Sequence, residues 1–350
     1  MGGKNESLGS VTSRDRDLEA FVERAGWGGA TITPLAGDAS TRRYDRLVQP
    51  DGMRAVLMDA PPAKGNDIRP FTCIAAYLAG IGLSAPRIFA QDDRRGFLLL
   101  EDLGDDLFAR VLEREPQREA ALYEAAVDVL VHLHRAPPPP LATYDAATLT
   151  SLTAPAFDWY QFGIAGEIND DARTEFSKLF EKHLAPLDTQ PKVLIQRDYH
   201  AENLLWLPER HGLARVGVLD FQDAVLGHTA YDLVSLLQDA RRDVPPELER
   251  QMIDHFLDQS PHDRERFTTA YAVLGAQRNL RILGVFSWLC LRDGKAHYID
   301  LIPRVWGHVQ TNLKHPALAD LVKHIRQSLP PPTPDALTLL RSKCATFPDR

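Results

Sequence analysis

The chain has 350 residues, 44% of them hydrophobic and 25% charged, with a formal net charge of -8, so it can build a sizeable core and divides most naturally into two domains. The negative balance argues against a protein that lives on phosphate backbones, which needs clustered Lys and Arg. Three widely spaced cysteines, Cys73, Cys290 and Cys344, exclude a disulfide framework or a CxxC zinc site, and no apolar run is long enough to span a bilayer.

Residues 1–10 contain no apolar signal-peptide core, and Glu6 stands where a myristoylation signal needs Ser or Thr. The expectation is a cytoplasmic protein acting on small molecules, with no nucleic acid, no membrane and no obligate protein partner.

In chain order, residues 15–25 show the helical spacing of Leu18, Phe21 and Val22, with Ser13 as the cap. Three β-like stretches follow at 30–35, 43–49 and 53–59. The last two are joined by Pro50-Asp51-Gly52, whose Asp-Gly step suits a tight hairpin. Residues 68–80 read as a helix, and 87–90 with 96–101 as a further strand pair around the polar turn 91–95. The first hundred residues therefore predict a small, mostly antiparallel sheet with one inserted helix. Helical periodicity takes over at 119–134, and Pro137 to Pro140 form a polyproline II spacer. Short apolar strands at 192–196, 204–207 and 216–219 flank loops, and four or five helices fill the rest as far as Arg341. The domain boundary is expected at Leu103, giving domains 1–103 and 104–350.

The most informative segment is Gln196-Arg197-Asp198-Tyr199-His200-Ala201-Glu202-Asn203, with Asp220-Phe221-Gln222-Asp223 beginning seventeen residues after the asparagine. Phosphoryl transfer needs one carboxylate to orient an attacking hydroxyl and oxygen ligands to hold magnesium against the phosphates. Asp198 fits the first role. Asn203, five residues on in a short loop, and Asp220, at the end of an apolar strand, fit the second. An isolated Asp-x4-Asn pair reads more readily as a loop in which both side chains cap backbone groups. Here a strand, a loop, a strand, a turn and a strand ending in Asp-Phe follow one another in the order of a kinase catalytic core.

At these residues the chain resembles the aminoglycoside phosphotransferase-like kinases, over most of its length. The resemblance implies an α+β, bilobal protein-kinase-like fold, with a small antiparallel-sheet N-lobe (1–103) that binds nucleotide and a larger, mainly helical C-lobe (104–350). It implies ATP as co-substrate and Mg2+, with Asp198 as catalytic base and Asn203 and Asp220 as metal ligands. It also implies that Asp232, in Tyr231-Asp232-Leu233, braces the catalytic loop, and that Asp223 assists at the metal or the acceptor. Two positions depart from the family pattern: its His-Gly-Asp becomes Gln196-Arg197-Asp198, and Met58 replaces the lysine of the third strand. Residues 68–80 contain no Glu to pair with such a lysine.

Either another cation serves the α- and β-phosphates, or no phosphate moves and the chain is a nucleotide-binding pseudokinase scaffold. The candidates are Arg42 and Arg43, which end the turn Gly37-Asp38-Ala39-Ser40-Thr41. Ser40, Thr41 and loop amides would bond phosphate oxygens, and guanidinium grips them in bidentate fashion. The same segment reads equally as a plain hairpin with solvated arginines. The run Leu98 to Gly104 resembles the hinge, which would set Glu101 and Leu103 at the adenine, or is a buried strand. His200, inside the catalytic loop, either contacts phosphate or holds the loop, and the structural role is the favoured one.

Residues 37–44, 56–62 and 221–234 and Arg292-Asp293-Gly294-Lys295 look like the N-acetylmuramate/N-acetylglucosamine anomeric kinase branch, which also carries Met-Asp-Ala-Pro-Pro at the lysine strand. The acceptor implied is the C1 hydroxyl of an N-acetylated sugar, whose 1-phosphate feeds cell-wall sugar recycling. Between Tyr271 and Arg304, five cations (Arg278, Arg281, Arg292, Lys295, Arg304) face two aspartates, a net +3. That suits an anionic acceptor held by Arg292 and Lys295, or is a solvated helix face. An aminoglycoside, choline or another hydroxyl metabolite is the alternative acceptor.

Overall fold

The computed structural model of the chain describes residues 13–35 and 41–348. The chain divides into two compact units, Met1–Asp105 with Gly217–Gln222, and Asp106–Val216 with Asp223–Arg350. No helix among the described residues is long and apolar enough to cross a membrane.

The first unit contains α1 (Ser13–Arg24), β1 (Thr31–Pro34), β2 (Arg43–Val48), β3 (Arg54–Asp59), α2 (Arg69–Gly80), β4 (Ile88–Asp92) and β5 (Phe97–Glu101). The strands form one antiparallel sheet in the order β1-β2-β3-β5-β4. Alternation along the strands decides what each face buries. Leu47, Ala55, Leu57, Phe97 and Leu99 join Leu18, Phe21, Val22 and Trp27 in one apolar cluster under α1. Tyr44, Met58 and Leu98 stand opposite one another in register, so they share the other face. Ser13, the expected cap, lies in α1 at the edge of the described residues, and β4 continues to Asp92, which shortens the expected turn. Gly96 closes that turn at φ 72, and a Cβ there would lie 2.1 Å from the Ala60 carbonyl oxygen. Only glycine permits this approach.

The second unit is mainly helical. Its first half has α3 (Phe108–Arg114), α4 (Glu119–Arg135), α5 (Ala146–Ser151), a π-helical turn (Ala156–Gln161) leading into α6 (Phe162–Ala165), and α7 (Asp170–Asp188). Short strands follow: β6 (Val193–Ile195), β7 (Leu204–Trp206), β8 (Val216–Val218), along which the chain passes into the first unit, and β9 (Val225–Gly227). After them come α8 (Ala230–Leu237), α9 (Pro246–Asp258), α10 (Arg264–Leu291), α11 (Ile302–Asn312), α12 (Ala319–Ser328) and α13 (Pro334–Ser342). Among the described residues six α-helices therefore follow β9, against the four or five expected. β6 pairs antiparallel with β9, a three-residue strand too short to leave an alternating pattern in the sequence.

Helix α10 is the axis of this unit. Its 28 residues are buried along most of their length, and Asp263 caps it by accepting the Arg266 N–H. Gly284 lets the backbone at Pro155 approach, since a Cβ would sit 2.1 Å from the Pro155 carbonyl carbon.

Candidate active site

The segment after β6 is tied down almost atom by atom. The Asp232 carboxylate, on α8, accepts the backbone N–H of Gln196 at 2.6 Å and of Arg197 at 2.9 Å. Ser235 Oγ donates to the Arg197 carbonyl at 3.1 Å. Arg197 takes φ 74, the left-handed region that costs a residue with a Cβ about 1–2 kcal/mol. Its guanidinium donates to the Asp223 carbonyl at 3.2 Å and lies 5.5 Å from the Tyr144 ring centroid. The family pattern has glycine here, the residue that takes this conformation without steric cost, and Arg197 adds a cation at the same position.

Beyond Asp198, Tyr199 OH donates to the Ala126 carbonyl on α4 at 2.9 Å, which anchors the loop in the core. Asn203 Nδ2 donates to the Asp198 carbonyl at 2.9 Å and lies 3.4 Å from His200 Nε2. Because the amide nitrogen faces the loop, Asn203 Oδ1 points away from it. His200 is 5% exposed, and burial lowers its pKa and keeps the ring neutral. Its contact is with Asn203.

Burial tends to raise the Asp198 pKa, but the guanidiniums of Arg278 and Arg281 on α10 outweigh it and hold this carboxyl below its ordinary value. Asp198 is therefore anionic at neutral pH. Asp232, by contrast, is completely buried, and burial pushes it up to about 7 in spite of its two N–H donors.

In the first unit, Asp220 adopts φ 57 and is exposed, and Gln222 Nε2 donates to its Oδ1 at 2.7 Å. The next residue, Phe221, is buried and packs on Phe71 of α2 with ring centroids 4.9 Å apart. The aromatic side chain fixes the turn, and the carboxylate faces solvent. Asn203 Oδ1 and Asp220 Oδ2 are hard oxygen donors with no hydrogen bond between them and other described side chains, so each fits the needs of Mg2+.

The two arginines of the candidate nucleotide loop separate cleanly. Arg43 Nε donates to Asp45 Oδ2 at 2.9 Å, and Asp45 is 4% exposed on the α1 side of the sheet. Arg42 instead acts on Tyr44: burial raises the Tyr44 pKa, Arg42 opposes that shift, and Asp220 adds to it. Arg42 thus belongs to the face of the sheet that carries Met58. Thr41 Oγ1 donates to Asn66 Oδ1 at 3.0 Å. Ser40, with the rest of 36–40, lies outside the described residues. Glu101 ends β5, and its carboxylate takes the Arg87 guanidinium at 3.2 and 3.3 Å. Leu103 follows in the half-buried segment after it.

Arg292 caps α10, with its guanidinium 4.2 Å over Trp288 and its Nε 2.8 Å from Asp293. Lys295 is three residues further, donating its N–H to the Leu289 carbonyl at 2.9 Å. Arg292 is fourteen residues beyond Arg278, roughly 20 Å at about 1.5 Å per helical residue. Of the positive segment, Arg278 and Arg281 are the members beside Asp198, a distinction that charge counting cannot make.

The sequence model of the phosphotransferase enzyme family matches residues 31–267, more than half of the chain. The chain belongs to this phosphotransferase family. It is 39% identical to the N-acetylmuramate/N-acetylglucosamine kinase of Caulobacter vibrioides, over 89% of this chain and 95% of that one. It is 35% identical to the Pseudomonas aeruginosa kinase of the same name, over 87% and 90%. Aminoglycoside phosphotransferase APH(2'')-Ib in its ADP-bound form superposes with a TM-score of 0.58 at 13% identity, covering 85% of this chain and 97% of its own. The phosphotransferase accordingly has the kinase-like fold, with its five-stranded antiparallel sheet and a mainly helical remainder.

Proposed function

We propose that this phosphotransferase transfers the γ-phosphoryl group of ATP to the anomeric C1 hydroxyl of an N-acetylated amino sugar, N-acetylmuramate or N-acetylglucosamine, giving the sugar 1-phosphate. The observation that carries this reading is an intact Asp198, Asn203 and Asp220 set in a chain whose relatives at 39% and 35% identity are named for kinases of these two sugars.

The hydroxyl oxygen attacks the γ-phosphorus, the bond to the β-γ bridging oxygen breaks, ADP leaves, and the hydroxyl proton passes to Asp198. In a loose transition state this proton leaves late, so Asp198 chiefly orients the hydroxyl. An anomeric hydroxyl is more acidic than an ordinary alcohol, which suits a carboxylate held anionic by neighbouring arginines. Asn203 and Asp220 are the oxygen donors assigned to Mg2+, which neutralises phosphate charge when bound. Asp223 and Thr41 keep supporting roles in this reading, as do the backbone groups at Glu101 and Leu103 toward the adenine.

The missing lysine is the one observation that favours the pseudokinase scaffold. Arg42 answers it, because it supplies a guanidinium on the face of the sheet where Met58 stands. The test is ADP release by the full chain with Mg2+ and ATP, offered N-acetylmuramate, N-acetylglucosamine or kanamycin. The proposal requires release with at least one of the two sugars and none with kanamycin. ATP binding without release on any acceptor establishes the scaffold instead.

A further inference from the structure

Arg278 and Arg281 are one helical turn apart on α10 and share a face. The residues that flank Arg278 fix that face. Gln277 Nε2 donates to the Leu149 carbonyl at 2.8 Å, and Asn279 Nδ2 donates to Gln238 Oε1 at 2.8 Å, which Asn312 Nδ2 also meets at 2.8 Å. Arg278 is 4% exposed, and its Nη1 has no hydrogen-bond partner among the described residues. The same holds for Gln196 Oε1 and Nε2, His200 Nδ1 and Asp239 Oδ2, all buried. A buried guanidinium nitrogen left unpaired is costly, and so is a buried amide. A group of them around one loop marks a place built to receive a polar ligand.

The cations of that place are Arg278, Arg281 and Arg197, which all act on Asp198, and Asp239 and Asp232 are further carboxylates coupled to Arg278. Arg197 gives Nη1 to the Asp223 carbonyl and lies near the Tyr144 ring, while its Nε is, like Arg278 Nη1, buried without a partner among the described residues. Arg281 is half-buried and interacts with the Tyr231 and Tyr144 phenols as well as with Asp198. It is therefore the reachable member, with Arg278 behind it as a fixed charge. The phosphates of the nucleotide have Arg42, Thr41 and the two metal ligands assigned to them, so these two arginines exceed that need.

We propose that Arg278 and Arg281 form an anion-recognition element beside Asp198 that takes a carboxylate carried by the acceptor sugar, and so favours N-acetylmuramate, with its lactyl carboxylate, over neutral N-acetylglucosamine. This rests on the sugar-kinase reading above. A polycationic acceptor is disfavoured by the same charges. Guanidinium offers the bidentate geometry a carboxylate needs, which lysine does not.

The test compares wild type with Arg281→Gln and Arg281→Lys, chosen because Arg281 is half-buried and Arg278 remains in either variant as a cation acting on Asp198. KM and kcat are measured for both sugars. Arg281→Gln is expected to raise KM for N-acetylmuramate by about tenfold or more, the loss of a charge-assisted hydrogen bond, and to leave KM for N-acetylglucosamine within about twofold. Arg281→Lys should recover part of the loss, and because Arg281 also acts on Asp198, kcat should fall by the same factor for both sugars. An equal rise in KM on both sugars, or no rise on either, overturns the proposal, because the charges then act on the transferred phosphoryl group or on Asp198 alone. If wild type turns over neither sugar, the sugar-kinase reading fails, and calorimetric binding of N-acetylmuramate decides the inference separately. Binding by wild type that Arg281→Gln weakens supports the element; unchanged binding, or none by wild type, removes it.

Discussion

Asp232 accepts the Arg197 N–H at 2.9 Å with one carboxylate oxygen and the Gln196 N–H at 2.6 Å with the other. A completely buried side chain on α8 thereby sets the backbone immediately before Asp198, including the left-handed turn at Arg197. Position, rather than chemistry, is what Asp232 contributes.

Asp232→Ala leaves two buried N–H groups without acceptors, at about 1–3 kcal/mol each. The variant is expected to lose about 2–6 kcal/mol of stability, read from denaturant midpoints, and to lose kcat more than nucleotide affinity. Wild-type kcat in a folded Asp232→Ala protein contradicts the bracing role.

The Asp232 carboxyl, pushed up to about 7 by burial, makes a signed prediction for pH. Its folded pKa is raised above an unfolded value of about 3.9, so the stability it contributes is fully present below that value and is lost as pH rises through 7. Unfolding curves of Asp232→Asn should therefore be flatter than wild type between those two pH values. Equal slopes would show that Asp232 does not titrate there.

Asp198 runs the other way. Its depressed pKa keeps it ionised throughout the neutral range, and its contribution is lost only as pH falls through a value below the usual carboxylate range. Asp198→Asn should lower kcat by about 10²–10⁴-fold while ATP still binds, as measured by calorimetry. Full turnover in this variant removes Asp198 from the mechanism.

Arg42→Ala is expected to raise KM for ATP by about tenfold, corresponding to one lost hydrogen bond to a charged group. Arg43→Ala should leave KM within about twofold, since its guanidinium serves Asp45. Steady-state kinetics at saturating sugar check both, and the reverse ranking would place Arg43 at the phosphates instead.

Asp220→Ala should abolish the Mg2+ dependence of nucleotide binding, because it removes an exposed carboxylate that Gln222 and the buried Phe221 hold in place. Titration of ATP with and without Mg2+ reads this directly. A variant that keeps the full Mg2+ effect would acquit Asp220 as a ligand.

Much of the fold was legible because the first unit writes its pattern plainly. Leu47 stands between the less buried Arg46 and Val48 in β2, the run Phe97 to Leu100 is apolar throughout, and glycines mark the turns. The stripe Phe176, Phe180, Leu184 and Leu187 in α7, with polar residues between its members, was an equally present amphipathic signal. β9 is three residues long and exists because β6 needs a partner, a tertiary requirement with no local signature. In the site, the order of Asp198, Asn203 and Asp220 was readable from spacing. Which of Arg42 and Arg43 shares the face of Met58 follows from the same alternation that buries Leu47 and Leu57, a signal the sequence did contain. That Arg278 and Arg281, rather than Arg292 and Lys295, act on Asp198 depends on how α10 packs, and only the folded chain determines that.

The measurement closest to the central claim is phosphorus NMR of the product formed from N-acetylmuramate and N-acetylglucosamine with ATP and Mg2+. The account predicts a phosphate signal coupled to the anomeric proton with at least one of the two sugars. A phosphate ester on any other hydroxyl, or ATP bound with no sugar phosphate formed, would contradict it.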